Sequence, residues 1–123
     1  MTALPRHLKP ALETTLSDDG RYDARKIAQF LGLSLRDFAA LLGSSASVLS
    51  RNGDSERLQP GLRPIVVVLD LIGSTNATPE AIRTWLRSPI PGLGYRVPLE
   101  MIQEGETEEL IDTLTRVVDG SPG

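Results

Sequence analysis

The chain has no cysteine among its 123 residues, and its single histidine is His7. The lack of cysteine excludes disulfides, thiolate zinc sites and cysteine nucleophiles, and it favours a reducing compartment such as the cytoplasm. His7 lies in an N-terminal arm, where a solvated side chain is a simpler interpretation than a base or a ligand. The sequence also shows no Ser-His-Asp set, metal-ligand cluster or phosphate-binding loop, so we expect no enzyme, no cofactor and no metal site.

Aromatic residues and long apolar runs are also scarce. Only 4% of the residues are aromatic, so we expect a core of leucine, isoleucine, valine and alanine. The longest apolar run, residues 65–69, is far too short to cross a bilayer, and the N-terminal residues lack the apolar stretch of a secretion signal. We therefore expect a cytoplasmic protein with no membrane association.

The chain has little net charge, with a formal value of -3, which argues against a protein that mainly coats nucleic acid. The charges are nevertheless distributed unevenly. Residues 100–112 hold six acidic residues and no basic one, whereas the first quarter of the chain is basic through Arg6, His7, Lys9, Arg21, Arg25 and Lys26. A basic N-terminal region and an acidic C-terminal region can bind different partners.

Proline and glycine, by contrast, are concentrated in residues 85–100, together with the only tryptophan. Three prolines and two glycines in this stretch fix the backbone before any partner arrives, because proline sets φ and glycine permits unusual turns. This connector joins two predicted helices. Its rigidity is better suited to recognition than to catalysis.

Helix signals divide the rest of the chain. Caps and apolar spacing predict helices over residues 23–31, 34–42 and 45–52, with stops at Gly32 and Gly43. We interpret residues 58–64 as a linker and the apolar run 65–72 as a buried helix. Further helices are predicted over residues 78–87, 98–103 and 107–118. The expected fold is all-α, with a flexible arm (1–20), a helix-turn-helix region and linker (21–64), and a small helical domain ending in a short tail (65–123).

The second and third helices have the features of a helix-turn-helix. Ala39 is the small residue on the first helix of the pair, Gly43 allows the turn, and Leu49 locks the second helix inward. If this unit binds DNA, the residues facing the groove or the phosphates are Ser45, Ser47, Ser50, Arg51 and Asn52, with further phosphate contacts from Arg21, Arg25 and Lys26. The alternative is that the same helices are only a scaffold, because the recognition face carries a single basic residue, which is few for a DNA-binding helix.

The connector carries a longer motif. The pattern W-L-x-x-P-x-x-x-L-G-x-x-x-P-x-x-h-h-x-x-G, in which h is apolar, is filled at every position by Trp85, Leu86, Pro89, Leu93, Gly94, Pro98, Met101, Ile102 and Gly105. In this motif the chain resembles the MbcA/ParS/Xre antitoxin family, which pairs an Xre-like helix-turn-helix with a C-terminal toxin-binding domain. It departs at Ile90, where the family often has asparagine.

The resemblance implies a partner and a mechanism. The partner is a RES-domain toxin, which consumes NAD or uses it for ADP-ribosylation, and the antitoxin occludes the NAD pocket with its C-terminal part. The resemblance also implies repression of the antitoxin's own operon by binding operator DNA, as a homodimer within a larger toxin–antitoxin complex. The alternative function is a helix-turn-helix regulator whose C-terminal domain dimerises or senses a ligand and has no toxin partner.

Candidate toxin contacts lie around the connector and at the end of the chain. Arg87, Tyr95 and Arg96 are residue types enriched at interface hot spots. Asp119, Gly120 and Ser121, with the terminal carboxylate, can present anionic groups to arginines that bind NAD phosphates. We expect Trp85 to anchor the small core, and the acidic run of Glu104, Glu106, Glu108 and Glu109 to be a solvated helix start.

Overall fold

The structure is a computed structural model that describes residues 17–18, 20–73 and 77–118. In these ranges the chain forms seven α-helices and one small hairpin with two residues in each strand. This confirms the predicted all-α class. The chain divides between residues 63 and 64 into two compact units. Most of the predicted arm, residues 1–16 and 19, lies outside the described residues.

The N-terminal unit begins with strands β1 (Ser17–Asp18) and β2 (Arg21–Tyr22), which pair antiparallel. Helices α1 (Ala24–Leu31), α2 (Leu35–Leu42) and α3 (Ala46–Asn52) follow. Each begins at a side-chain cap, because the side chains of Asp23, Ser34 and Ser45 accept a hydrogen bond from a first-turn N–H; the caps at Asp23 and Ser34 were predicted. Buried apolar side chains from all three form the core, among them Ile27, Phe30, Leu31, Phe38, Ala39 and Leu49.

The predicted linker at residues 58–64 is wrong. Glu56–Leu58 forms a 3₁₀ turn, and α4 (Gln59–Gly73) begins directly after it, so the helix predicted for residues 65–72 is nearly twice as long. Pro60 lies in the first turn, where a helix needs no N–H donor, and Pro64 is accommodated inside the helix. The buried side chains of Leu62 and Ile65 show why burial outweighs these local breakers.

The first turn of α4 is tied to the N-terminal unit. The Gln59 side chain accepts from the Tyr22 N–H at 3.0 Å and donates to the Tyr22 carbonyl at 2.8 Å, so it replaces a missing strand neighbour for β2. A Cβ at Gly61 would lie 3.1 Å from Leu42 Cδ2, which shows that α2 approaches α4 closely at this glycine. The N-terminal unit therefore includes the start of α4.

The C-terminal unit contains the rest of α4 and helices α5 (Pro79–Leu86), α6 (Pro98–Gln103) and α7 (Thr107–Val118), close to the predicted bounds. Thr78 caps α5 by accepting from the Ala81 N–H at 3.1 Å. The core of the unit is aliphatic, as the composition predicts, and includes Val66, Leu69, Ile82, Leu86, Met101, Ile102 and Leu110. Between α5 and α6 lies the connector.

Candidate functional site

The connector is closed on itself by backbone hydrogen bonds. The Ile90 N–H donates to the Arg96 carbonyl at 3.1 Å, and the Ile90 carbonyl accepts from Tyr95 and Leu93, both at 2.9 Å. The 3₁₀ turn Pro91–Leu93 lies inside this closed loop. The connector therefore has a fixed backbone, as its proline and glycine content predicts.

Gly94 and Tyr95 are consecutive residues in the left-handed region, with φ of 68° and 64°. Among the described residues, Tyr95 is the one non-glycine residue with positive φ. This conformation costs a residue with a side chain about 1 kcal/mol. Tyr95 is 71% exposed, so burial does not offset that cost. Strain held at an exposed aromatic residue is typical of a contact site.

An apolar groove of about 330 Å³ opens beside the connector. Five segments contribute to its walls: the end of α4, the residue before the cap of α5, helix α5 itself, the connector and the C-terminal half of α7. The lining residues are Leu71, Ile72, Ala77, Ala81, Trp85, Ile90, Gly92, Leu93, Thr113, Leu114 and Val117. Val117 is 66% exposed, which is unusual for so large an apolar side chain. Sequence reasoning missed this groove because its walls come from residues up to 46 positions apart.

Trp85 lies in a wall of this groove and is half-buried rather than fully buried, so its role as an anchor of the small core stays a prediction. The fully buried positions of α5 are Ile82 and Leu86. Trp85 lies three residues after Ile82 and immediately before Leu86, so only part of its indole faces the interior. The indole is therefore available as a contact surface.

Arg96 gathers three of the four residues of the acidic run. Its Nη1 donates to Glu109 Oε2 at 2.9 Å, its Nη2 lies 3.8 Å from Glu104 Oε1, and it also contacts the Glu106 carboxylate. Arg96 thus ties the end of the connector to the segment after α6 and to the first turn of α7. The expected solvated helix start is instead organised around this guanidinium, although Glu104, Glu108 and Glu109 are exposed.

Replacing Arg96 with methionine is expected to lower the free energy of unfolding of the C-terminal unit by about 1 kcal/mol. The loss is modest because all four side chains are partly exposed, and it should shrink in high salt as the repulsion among the remaining carboxylates is screened. Urea denaturation at two ionic strengths measures it. Arg116→Met, on exposed α7 surface, is the matched control, and equal stability of the two variants would show that Arg96 has no such role.

The other predicted toxin contacts lie at the end of α5, on the connector and in the C-terminal tail. Arg87 is exposed and ends α5, with its N–H donating to the last carbonyls of the helix. Arg87, Tyr95 and Arg96 are all brought onto the connector or its borders. Asp119, Gly120 and Ser121 lie outside the described residues.

An ion pair between the buried Asp23 and the exposed Arg25 organises the N-terminal unit. Asp23 is 2% exposed, and Arg25 donates to both of its carboxylate oxygens, at 3.0 and 2.7 Å. Burial raises the pKa of Asp23, but the hydrogen bonds and charge of Arg25 outweigh it and leave the pKa below its ordinary value. Arg25 Nη1 also donates to the Ser50 carbonyl at 3.1 Å, which joins α1 to α3.

The predicted DNA-facing residues divide by role. Ser45 is the cap of α3, with its hydroxyl accepting from the Val48 N–H at 3.2 Å, so that oxygen is already engaged within the helix. Ser47, Ser50, Arg51 and Asn52 are exposed on α3. Arg25, a predicted phosphate contact, is engaged by Asp23 and Ser50, whereas Arg21 is exposed.

In residues 17–18, 20–73 and 77–118, no group of three or more histidine, cysteine or acidic side chains is arranged to hold a metal ion. In the same part of the chain, no helix is long and apolar enough to cross a membrane.

Comparison with known proteins adds one finding. Residues 67–120 match the family model described as the antitoxin Xre/MbcA/ParS C-terminal toxin-binding domain, a range that includes the connector and the whole apolar groove. No curated protein and no solved structure matches the chain significantly. A domain of this description implies a toxin as partner and an antitoxin role, and residues 67–120 form a C-terminal toxin-binding domain of the Xre/MbcA/ParS antitoxin family.

Proposed function

We propose that the chain neutralises a RES-domain toxin by binding it and occluding its NAD site. The observation that carries this proposal is the family match over residues 67–120, which includes the connector motif that first pointed to such toxins. The same range holds the rigid loop that presents Tyr95. A preformed surface suits tight binding because little entropy is lost on association.

The proposed contacts are Arg87, Tyr95 and Arg96, together with the tail residues Asp119, Gly120 and Ser121. Tyr95 offers a large exposed ring, whereas Arg96 contributes mainly by holding the connector, given its three intramolecular carboxylate partners. The tail places its anionic groups where a toxin's arginines would otherwise bind the phosphates of NAD. The acidic residues of α7 accelerate approach to such a basic cleft.

Repression of its own operon, by a homodimer binding operator DNA, is a further part of the proposal. The exposed α3 side chains Ser47, Arg51 and Asn52 support it, since they lie on the helix that the sequence assigns to the major groove. The measurement is retardation of a DNA fragment from upstream of the chain's own gene. A protein that shifts no such fragment uses the helices of this unit as scaffold.

The toxin assignment is tested with a RES-domain protein encoded beside this chain. We expect the two proteins to purify as a complex and the full chain to suppress NAD consumption. We expect a chain ending at Val118 to remain bound but to lose most of that suppression, because the tail no longer fills the NAD site.

Two outcomes separate the parts of the proposal. Full suppression by the shortened chain would place occlusion elsewhere than in the tail. Failure of the RES-domain protein to associate with the intact chain would refute the toxin assignment itself. Thr115→Ala, an exposed change on α7, is the matched control for incidental damage to the end of that helix.

A further inference from the structure

The apolar groove of the C-terminal unit leaves large apolar side chains in contact with solvent. Val117 is 66% exposed on α7, and Ala81 is exposed on α5. Trp85 and Leu93 in the walls are half-buried. A contiguous apolar surface of this kind is typical of a binding site.

We propose that this groove receives an amphipathic helix of the protein toxin, whose identity rests on the proposed function. The groove is continuous with the connector, since Ile90 and Leu93 of the connector form part of its walls. Both the groove and the connector lie within residues 67–120, which match a toxin-binding domain. The surface available to the toxin therefore includes the groove as well as the connector.

The chemistry of the walls favours an apolar protein surface over a small polar ligand. Among the eleven lining residues that the structure describes, Thr113 and Trp85 alone carry a polar side-chain group. Small-molecule sites usually orient their ligand with a few convergent polar groups. The walls of this groove instead select an occupant by its shape and by apolar contact.

The shape of the groove fits a helix. Helix α5 contributes Ala81 and Trp85, four residues apart, to one wall. Helix α7 contributes Thr113 and Val117 at the same spacing. Residues four apart are separated by about 6 Å along a helix, so the groove follows each helix for about one turn. Small residues keep it wide, because a Cβ at Gly92 would meet no atom within 4 Å and Ala81 has only a methyl group. A helix laid into an apolar groove is a common recognition mode.

The charges at the rim favour basic side chains on the flanks of that helix. Glu80 and Asp112 are exposed, and each immediately precedes a wall residue. The residue after each of those wall residues is buried, Ile82 on α5 and Leu114 on α7, so the two carboxylates lie on the solvent side. They outnumber Arg116, the base that precedes Val117. A second copy of this unit would bring a rim of the same sign, so a basic toxin helix is favoured over it.

A charge placed in the groove tests its role in toxin binding. We expect Ala81→Glu to raise the Kd of the complex with the RES-domain protein encoded beside this chain about 30-fold, because an unpaired carboxylate would lie between apolar surfaces. Thr115→Glu is the matched control, since it adds the same charge at an exposed position about 160° round α7 from Val117. Its Kd should equal that of the parent chain.

Equal Kd values for Ala81→Glu and the parent chain would overturn the inference and leave the proposed function standing. Failure of the parent chain to bind the RES-domain protein would refute both. Ala81 is exposed, so the substitution should leave the urea midpoint of the free chain unchanged, which separates lost binding from lost folding.

The only tryptophan of the chain lies in the groove, so a fluorine atom on its indole reports occupancy. In a chain labelled with 5-fluorotryptophan, unlabelled toxin should shift the single fluorine resonance saturably. Its H2O/D2O isotope shift should fall about twofold as the indole loses contact with water. An unchanged isotope shift in the formed complex would show an uncovered groove and overturn the inference. A resonance that moves when the free chain is diluted would assign the groove to a second copy, which also overturns it.

Crosslinking identifies the segment of the toxin that lies at the groove. Because the chain lacks cysteine, Thr84→Cys, which is exposed and immediately precedes Trp85, gives a unique thiol for a photoreactive maleimide. The crosslinked toxin segment should have apolar residues three and four positions apart, flanked by lysine or arginine. A crosslinked segment without that pattern would overturn the inference, as would a yield no higher than that from Thr115→Cys.

Discussion

Replacing Gly53 with alanine is expected to destabilise the N-terminal unit by about 3 kcal/mol. A Cβ at this position would lie 2.6 Å from Asp23 Oδ1, 2.8 Å from Arg25 Nε and 2.8 Å from the Leu49 carbonyl oxygen. One of these neighbours is backbone and the other two form the ion pair of Asp23 and Arg25, so none can move without breaking a contact. The Gly53 carbonyl also accepts from the Ala24 N–H at 2.8 Å, which limits any shift of the glycine itself.

Urea denaturation followed by far-ultraviolet circular dichroism measures this loss, and Gly92→Ala is the matched control. No atom lies within 4 Å of the Cβ position at Gly92, so that substitution should change stability by less than about 0.5 kcal/mol. Since φ at Gly53 is an ordinary -62°, the penalty is steric rather than conformational. Equal midpoints for the two variants would show that the ion pair has room to retreat.

The features of the fold that depend only on local interactions were predicted from the sequence. The caps Asp23, Ser34 and Thr78 form as expected because each bonds to an N–H two or three residues away, within the same short segment. The left-handed stop at Gly32 is equally local, since only a glycine adopts that φ without strain. The first and last residues of these helices could therefore be predicted from neighbouring residues in the sequence.

Contacts between distant residues were not predictable in this way. Nothing in the sequence pairs Arg25 with the Ser50 carbonyl, 25 positions later, or Arg96 with Glu109, 13 positions later. Both arginines were interpreted as free for a partner, and both hold their own unit together. The linker prediction failed for a related reason, because the proline and glycine of residues 58–64 were weighed without the burial of Leu62.

For the candidate site, the structure shows where the predicted residues lie. Arg87 and Tyr95 are exposed on the connector, so they are accessible to a partner, and their role as contacts stays a prediction. Trp85 was assigned to the core because a single tryptophan is usually buried, and it is half-buried beside the groove. The groove that exposes Trp85 depends on how α4, α5 and α7 pack around the connector, and no spacing in the sequence encodes that arrangement. The sequence motif thus identified the connector, whereas packing determines the shape of the groove beside it.

Replacing Tyr95 with glycine is expected to separate stability from binding. Glycine relieves the left-handed strain of about 1 kcal/mol, but it also adds unfolded-state entropy worth roughly 0.5–1 kcal/mol. The two effects nearly cancel, so the free energy of unfolding should stay within about 0.5 kcal/mol of that of the parent chain. Little packing is lost because Tyr95 is 71% exposed.

Binding should respond very differently. A tyrosine hot spot contributes about 2 kcal/mol or more to an interface, which corresponds to a rise of roughly 30-fold in the Kd of the complex with the RES-domain toxin. Calorimetric titration of that toxin measures the change, with the exposed α6 substitution Gln103→Ala as control. An unchanged Kd would place the toxin contact away from the connector tip. A fall in stability with an unchanged Kd would mean that Tyr95 is a structural residue. Recognition of a partner would then not explain the left-handed backbone strain at Tyr95.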